Sequence, residues 1–385
     1  MFIRYRRAPG RSTKVRFGVP AVAVMAVAAC SLAISSAANA GINWSSVKSA
    51  SAAGGLKALV KAAKKEKTLN VIALPPTWAN YGKEISAFHK KYGIKVVSFN
   101  PNGTSAEEIQ AIKQDKGRSS EPDAVDVGES FTAAPDPSLF AKYKVMTWKN
   151  IPAAAKNAAG EWYNDYGGYI SFGCDMTVVK TCPTSWKALE QGQYKGDVTL
   201  NGAIGQAAAA TDAVYAAALN NGGSLTNVQP GIDFFNKLKS DGNFAATDCN
   251  SPSVIEAHQC PILINWDYLN SAKSYGLPAN IAANWKVVDP TGTGFAGYYV
   301  QAISKYAPHP AAARLWEEFL YSTQGQNIWL EGGARPIELP AMVKAKTENK
   351  TAYKALPAVT GTPALPTVAE SAAAGTKIAA AFAAS

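Results

Sequence analysis

The sequence lacks the short motifs that mark the common classes of catalytic site. It has no G-x-S-x-G nucleophile elbow, no H-E-x-x-H zinc motif and no phosphate-binding P-loop. Histidine is scarce, with only His89, His258 and His309 in 385 residues. We therefore predict that the chain is not an enzyme, and we expect no catalytic residue, no metal site and no cofactor. His89 falls in an amphipathic pattern and His309 between two prolines, so both are predicted to lie at the surface.

Most of the chain also lacks a large net charge. The formal net charge is +10, but residues 1–40 hold six of the 38 basic residues and no acid. The remaining chain has 32 basic against 28 acidic residues, a net charge of +4. No basic stripe interleaved with aromatic residues is present, so we predict that the protein does not bind nucleic acid. Hydrophobic residues make up 47%, enough for a sizeable core.

Residues 1–40 have the pattern of an export signal. A basic head precedes the apolar run 17–34, and Ala38-Asn39-Ala40 forms a small-x-small cleavage site. We predict cleavage after Ala40 and a periplasmic or extracellular location. The alternative is a lipid anchor on Cys30, since Val27-Ala28-Ala29-Cys30 also fits a lipoprotein processing site.

Cysteine is rare, and the four residues beyond the signal form two close pairs. These are Cys174 with Cys182, and Cys249 with Cys260. An even number of cysteines in an exported chain indicates disulfides, and four cysteines allow three pairings, of which the local one is simplest. Neither pair has the C-x2-C spacing typical of zinc sites.

The stretch 285–303, WKVVDPTGTGFAGYYVQAI, predicts two strands joined by a Gly-rich connection. Residues 285–288 are apolar and β-branched, the turn formers DPTGTG follow, and a second strand covers residues 298–303. We expect this stretch to pass between two lobes as a hinge beside a ligand. An ordinary loop between core strands is the alternative.

Strand, loop and helix alternate three times between residues 55 and 131, which predicts a parallel sheet flanked by helices. Ligands bind such sheets at the carboxyl ends of the strands. The candidate binding residues in these loops are Thr77, Trp78, Thr104, Ser105, Glu129 and Ser130. Thr104 and Ser105 also begin a helix, where backbone N–H groups can hold an anion. Simple N-capping, with Glu107 and Glu108 close behind, is the alternative.

Aromatic residues recur where later strands are predicted to end, and acids lie among them. The ligand-binding candidates of this part of the chain are Trp266, Asp267, Tyr268, Phe295 and Tyr298. Aromatic faces together with carboxylates suit an organic cation, through cation–π contacts and charge-assisted hydrogen bonds.

Five segments resemble the extracellular solute-binding proteins of bacterial ABC transporters. They are GLKALVKAAKKEKTLNVIAL, EPDAVDVG, CPTSWKALEQGQYKGDVTL, PGIDFFNKLK and KYAPHPAAARLWEEFLYSTQGQNIWLEGGARPI. The resemblance is to the group that binds spermidine and putrescine, iron, thiamine or phosphonates. It implies an α/β, two-lobed periplasmic-binding-protein fold (type II), each lobe a sheet flanked by helices, with two crossing strands as the hinge. The expected division is 1–40 signal peptide, 41–165 lobe 1, 166–290 lobe 2, and 291–385 the rest of lobe 1 with a C-terminal strap.

The resemblance also implies a small-molecule solute and a membrane permease as partners, with the protein acting as a monomer. Iron binders of this group carry adjacent tyrosines where this chain has Trp266-Asp267-Tyr268, which argues against iron. Polyamine binders have a tryptophan near Trp266, but they also have an acid where this chain has Tyr298 and Tyr299. A polyamine-like cation is the favoured expectation. The alternative is an anion such as an aminoalkylphosphonate, held by Thr77, Thr104, Ser105 and backbone N–H groups. An exported enzyme on the same fold is a further, less favoured alternative.

Overall fold

The computed structural model describes residues 41–131, 137–271, 276–357 and 362–383. Residues 43–385 group into one compact unit. The predicted signal peptide and Cys30 lie outside the described residues. Among the residues that are described, no helix is long and apolar enough to cross a membrane.

The structure alternates eleven strands with twelve described helices. The strands are β1 Thr68–Ile72, β2 Lys95–Phe99, β3 Ala124–Gly128, β4 Phe140–Ala141, β5 Tyr163–Asp175, β6 Val198–Leu200, β7 Phe244–Asp248, β8 Ile262–Trp266, β9 Trp285–Val288, β10 Ala296–Ser304 and β11 Arg335–Pro336. The helices are α1 Gly55–Glu66, α2 Tyr81–Tyr92, α3 Ser105–Gln114, α4 Ala208–Asn220, α5 Gln229–Ser240, α6 Pro252–Glu256, α7 Ala279–Ala282, α8 Pro310–Leu320, α9 Thr323–Glu331, α10 Leu339–Ala345, α11 Lys350–Ala355 and α12 Val368–Phe382.

The strands divide into two groups that share one long strand. The order is β2-β1-β3-β10-β5-β8-β6-β7. The pairs β1–β2 and β1–β3 are parallel, as the alternation predicted, and β10 is antiparallel to β3. The first part of β5 pairs with β10, and its second part pairs with β8 and β9. We call the part built on β1–β4, β10 and β11 lobe 1, and the part built on β6–β9 lobe 2.

The chain passes between the lobes along β5 and along the connection from β9 to β10. The Gly-Gly pair at 167–168 predicts a break in the sequence pattern, and this prediction is wrong, because β5 runs through both glycines. They are required there by space: a methyl group on Gly167 would lie 2.2 Å from the carbonyl oxygen of Gly297, and one on Gly168 would lie 2.5 Å from Oδ1 of Asp267. Adjacent strands thus approach closely where the lobes join.

Two helix predictions need correction. The sequence pattern of residues 182–190 predicts the start of a helix, but the structure has only a 3-10 turn, Trp186–Glu190. The residues before it stay extended, because Cys182 is tied to Cys174 and the Thr184 carbonyl accepts a hydrogen bond from the Thr291 amide at 2.7 Å. The sequence pattern of residues 78–92 predicts one helix, but this segment is divided, since Ala79 and Asn80 have positive φ angles and α2 begins only at Tyr81.

The disulfides have the local pairing. Cys174, near the end of β5, is bonded to Cys182. Cys249 follows β7 and is bonded to Cys260, just before β8. Each bridge closes a loop of about ten residues, which removes about 2–3 kcal/mol of conformational freedom from the unfolded chain.

The C-terminal segment contains the predicted strap and a final helix. Ala364 pairs with Phe295 at the start of β10, and the capped helix α12 follows from Val368. Thr367 and Glu370 form a capping box, which explains where the helix begins. Ala374 and Ile378 of this helix are buried.

Candidate functional site

The ends of the parallel strands meet in a cleft between the two lobes. Lobe 1 contributes the segments that follow β1 and β2, together with Asp126 of β3. Lobe 2 contributes Asn201 after β6, Asp248 at the end of β7 and the first turn of α4. This is the position at which α/β proteins bind ligands.

Asp126 is the most constrained charged group of the cleft. Its Oδ2 accepts hydrogen bonds from the hydroxyls of Tyr81 at 2.8 Å and Tyr166 at 2.7 Å. Its Oδ1 is buried, and the carboxyl group of Asp165 is also hydrogen-bonded to Asp126. Burial raises the pKa of Asp126 to about 6, although the two tyrosine hydroxyls oppose this rise. The Asp126 carboxyl group therefore exchanges its proton in mildly acidic solution.

A polar network behind Asp126 fixes its orientation. The Trp78 indole donates to the Tyr166 hydroxyl at 2.9 Å. The Gln301 amide donates to the Tyr81 hydroxyl at 2.8 Å and to Oδ2 of Asp165 at 3.1 Å. Burial, followed by repulsion from Asp126, raises the pKa of Asp165 well above its usual range. Burial and the neighbouring Asp126 thus favour the protonated form of Asp165.

Two further acids line the same cleft. Glu108 of α3 accepts a hydrogen bond from the backbone amide of Asp126 at 2.9 Å. Burial raises its pKa well above the ordinary value, and the nearby Asp126 raises it further. Burial also raises the pKa of Asp248 on the opposite lobe. Among the described residues that line the cleft there is no lysine or arginine, so its electrostatic character is acidic.

Aromatic rings form one wall of the cleft. Trp78 and Tyr299 pack edge to face with their ring centroids 5.7 Å apart. Tyr299 also stacks on Tyr166, with ring centroids 5.7 Å apart. The indole and phenol rings thus lie beside the carboxylates, an arrangement that suits an alkylammonium group.

The two lobes touch across this cleft. The backbone amide of Ala106 donates to the carbonyl oxygen of Gln206 at 3.3 Å. Gly128, at the end of β3, faces Ala208, and a methyl group on Gly128 would lie 2.2 Å from the Ala208 side chain. The described arrangement is therefore a closed one.

Of the residues predicted from the sequence, Trp78, Thr104 and Ser105 line the cleft. Thr104 caps α3 in a capping box with Glu107, whose carboxylate accepts from the Thr104 amide at 2.7 Å. The Ser105 hydroxyl accepts from the Gly128 amide at 3.1 Å. The capping alternative thus describes the start of α3.

Thr77, Glu129 and Ser130 lie apart from the cleft lining. Thr77 is exposed and borders a different surface pocket, together with Lys83. Glu129 accepts from the Asn164 amide at 3.0 Å and from the Ser371 hydroxyl of α12 at 3.0 Å. Ser130 is buried beneath the same helix, next to Gly375.

The predicted residues around β8 and β10 are mostly interior. Trp266 and Tyr268 are fully buried, and Trp266 packs against Gly297 and Phe295. Asp267 accepts a hydrogen bond from Arg335 at 2.6 Å within a buried ion pair. Phe295 borders a second pocket beside the hinge. The Tyr298 side chain packs against Gly167 of β5.

Four acidic or aromatic cleft residues escaped the sequence prediction: Glu108, Asp126, Asp248 and Tyr299. The sequence did contain an indication for Asp126. An acid in the middle of the apolar strand Ala124–Gly128 requires a hydrogen-bonding partner to offset the free-energy cost of its burial. Another prediction is corrected here as well. His309 is half-buried and its Nδ1 lies 2.8 Å from Oδ2 of Asp123, which raises the pKa of the imidazole. His89 is exposed, as expected.

Known proteins with the same fold bind chemically diverse solutes. A periplasmic binding protein of Actinobacillus pleuropneumoniae with bound fructose-6-phosphate is 18% identical, with a TM-score of 0.57, over 71% of this chain and 86% of that one. An apo ferric ion-binding protein of Pasteurella haemolytica is also 18% identical, with a TM-score of 0.58, over 83% and 97%. A spermidine/putrescine-binding protein of Streptococcus pneumoniae is 17% identical, with a TM-score of 0.51, over 77% and 94%.

At these identities the likeness shows the fold, which is that of two-lobed type II periplasmic binding proteins. No curated protein sequence matches the chain. A sequence family does match, over residues 127–361, which is more than half of the chain. The protein therefore belongs to the bacterial extracellular solute-binding proteins, the solute-capturing components of ABC transporters.

Proposed function

We propose that the protein captures a small organic cation of the polyamine type and delivers it to a membrane permease. The observation that carries this proposal is the cleft lining, in which three carboxyl groups and two aromatic rings occur without a lysine or arginine among the described residues. An ammonium group that enters this cleft gains charge-assisted hydrogen bonds and cation–π contacts.

Each cleft residue has a role in the proposed complex. Asp126 presents its carboxylate to the ammonium group, while Tyr81 and Tyr166 hold Oδ2 in place. Trp78 and Tyr299 cover the alkyl chain of the solute. Asp248 approaches from lobe 2, so a solute with two amino groups can bind both lobes at once. A solute that bridges the lobes stabilises the closed arrangement.

A solute with an acidic group as well as an amine is the second candidate. One observation favours it: α4 begins in the cleft with Ala207 at its N-cap, and no side chain caps the helix. A helix N-terminus of this kind attracts a negative group. The start of α3 is less suited to an anion, because the Glu107 carboxylate already occupies it. An aminoalkylphosphonate would satisfy both the acids and α4.

The proposal also includes export of the protein from the cytoplasm. The basic and apolar pattern of residues 1–40 and the two disulfides support a protein that acts outside the cytoplasm. We propose that it works there as a monomer, without turnover of its solute, and that an ABC permease receives the solute from it.

Thermal unfolding in the presence of single solutes tests the proposal. We expect putrescine or spermidine to raise the unfolding temperature, because a ligand at 100 times its dissociation constant adds about 2.7 kcal/mol to the stability of the folded state. Aminoethylphosphonate, thiamine, ferric citrate and succinate complete the panel. Sodium chloride at equal ionic strength is the control for screening. A shift with succinate but with neither polyamine would refute the cation, and a shift with aminoethylphosphonate alone would select the second candidate.

Binding of the cation is expected to weaken in acid. The proton and the ammonium group compete for Asp126, whose pKa burial raises to about 6. The amino groups of putrescine stay protonated throughout this range, so the deprotonated carboxylate is the binding form. The dissociation constant should be nearly constant above pH 7 and rise about tenfold per pH unit below pH 6. Isothermal titration calorimetry from pH 5 to pH 8 measures it, and tighter binding at pH 5 would contradict the assignment.

A further inference from the structure

The C-terminal helix α12 lies across both lobes of the protein. Its first half contacts lobe 1 immediately after β3. The Ser371 hydroxyl donates to Oε2 of Glu129 at 3.0 Å, inside the protein. Gly375 packs directly on Ser130, since a methyl group on Gly375 would lie 2.9 Å from the Ser130 Cβ atom.

The second half of α12 contacts lobe 2. Ala379 packs on Gly205, where an added methyl group would lie 2.7 Å from the Ala379 Cα atom. Phe382 borders a groove together with Ala203 and Phe244. Ile378, between these two ends, is completely buried. One face of a single helix therefore packs against both lobes.

The strap before α12 keeps the helix near the hinge. The Ala364 amide donates to the Gly294 carbonyl at 2.8 Å, and the Ala296 amide donates to the Ala364 carbonyl at 2.9 Å. Only residues 365–367 separate this pairing from the first residue of α12. A helix tethered this closely rebinds from a high effective concentration after each release.

Two acidic residues, one from each lobe, lie near each other beneath α12. Glu129 belongs to lobe 1 and Asp212 of α4 to lobe 2. Burial raises the pKa of Asp212 well above its usual value, and Glu129 raises it further. Where both carboxyl groups are ionised, their repulsion favours separation of the lobes, and the helix bound across them acts in the opposite direction.

We propose that α12 is an intramolecular latch that holds the lobes closed, so that the cleft opens only when the helix releases one of them. Opening has to break either the contacts of Ser371 and Gly375 with lobe 1 or those of Ala379 and Phe382 with lobe 2. The latch therefore sets the rate at which any solute enters or leaves, whatever its chemistry.

Hydrogen exchange of the solute-free, exported protein tests the latch. The Ala106 amide reports on opening, since its hydrogen bond to Gln206 joins the lobes. We expect exchange at Ala106 to accelerate at least tenfold in Gly375→Leu, whose larger side chain displaces the helix from Ser130. The same acceleration is expected in a chain that ends at Thr367. The radius of gyration from small-angle scattering should increase in both variants.

Two controls separate the latch from local effects. Ala373→Leu adds the same side chain on the exposed face of α12 and should leave Ala106 unchanged. The Glu108 amide, bonded to the Thr104 carbonyl at 3.0 Å, reports on fraying of α3 and should stay protected. Unchanged exchange at Ala106 in the chain that ends at Thr367 would overturn the proposal. If that chain does not fold, unchanged exchange at Ala106 in Gly375→Leu has the same meaning.

Discussion

Replacement of Asp126 by asparagine is expected to weaken putrescine binding about 100-fold. The new side chain would keep one oxygen to accept from Tyr81 and Tyr166, but its amide nitrogen would point a donor at the ammonium ion. Loss of a charge-assisted hydrogen bond in a buried site costs about 2–3 kcal/mol, which corresponds to this change in affinity. The protein itself should not lose stability, because burial already disfavours the charged form of Asp126. Calorimetric titration at pH 7.5 measures the affinity.

Asp233→Asn is the matched control, since this exposed acid lies on α5 outside the cleft lining. Its affinity for putrescine should equal that of the unchanged protein. The pH dependence supplies a second check, because the weakening below pH 6 should disappear in Asp126→Asn. Equal binding by Asp126→Asn and the unchanged protein would remove Asp126 from the site and leave Asp248 as the acid to test.

Gly167→Ala is expected to destabilise the protein by at least about 3 kcal/mol, because a new methyl group meets atoms that cannot move aside. The methyl carbon would lie 2.2 Å from the Gly297 carbonyl oxygen and 2.7 Å from the Tyr298 ring. Relief of this contact requires β5 and β10 to separate where the chain passes between the lobes. Urea unfolding followed by tryptophan fluorescence should show a lower midpoint.

Gly192→Ala is the corresponding control. An added methyl group at Gly192 has no atom within 4 Å, and its φ angle is not in the left-handed region. This variant should be as stable as the unchanged protein, or more stable by about 0.4–1 kcal/mol. Equal stability of Gly167→Ala and Gly192→Ala would mean that the strands tolerate wider spacing at the crossing than the structure indicates.

The sequence predicted those features that depend on local periodicity and spacing. The alternation of strands and helices up to Phe131 led to the parallel order of β1, β2 and β3. The short spacings between cysteines led to the two local disulfides. The turn formers after Val288 led to a connection between β9 and β10. In each case residues close in sequence determine the structure.

The cleft could be predicted only in part, because the order of residues along the chain does not determine which side chains at a strand end point into the cleft. Trp266 and Tyr268 follow β8 at the expected place, yet their rings point into the core. Tyr299 follows Tyr298 by one residue, and it is Tyr299 that lines the cleft. The partners of Asp126 come from α2 and β5, which are separated from it by about 40 residues in each direction. Such long-range pairing leaves no local pattern.

The position of β10 in the sheet imposes an order on folding. This strand lies between β3 and β5, so the edge of β3 remains open until residues 296–304 have been synthesised and exported. The strands β6, β7 and β8, in contrast, pair with one another and all precede β10 in the sequence. Because the chain is made and exported from its N-terminus, the strands of lobe 2 can pair before β10, the central strand of lobe 1, has been exported. The unpaired edge of β3 is then the segment most exposed to aggregation during export.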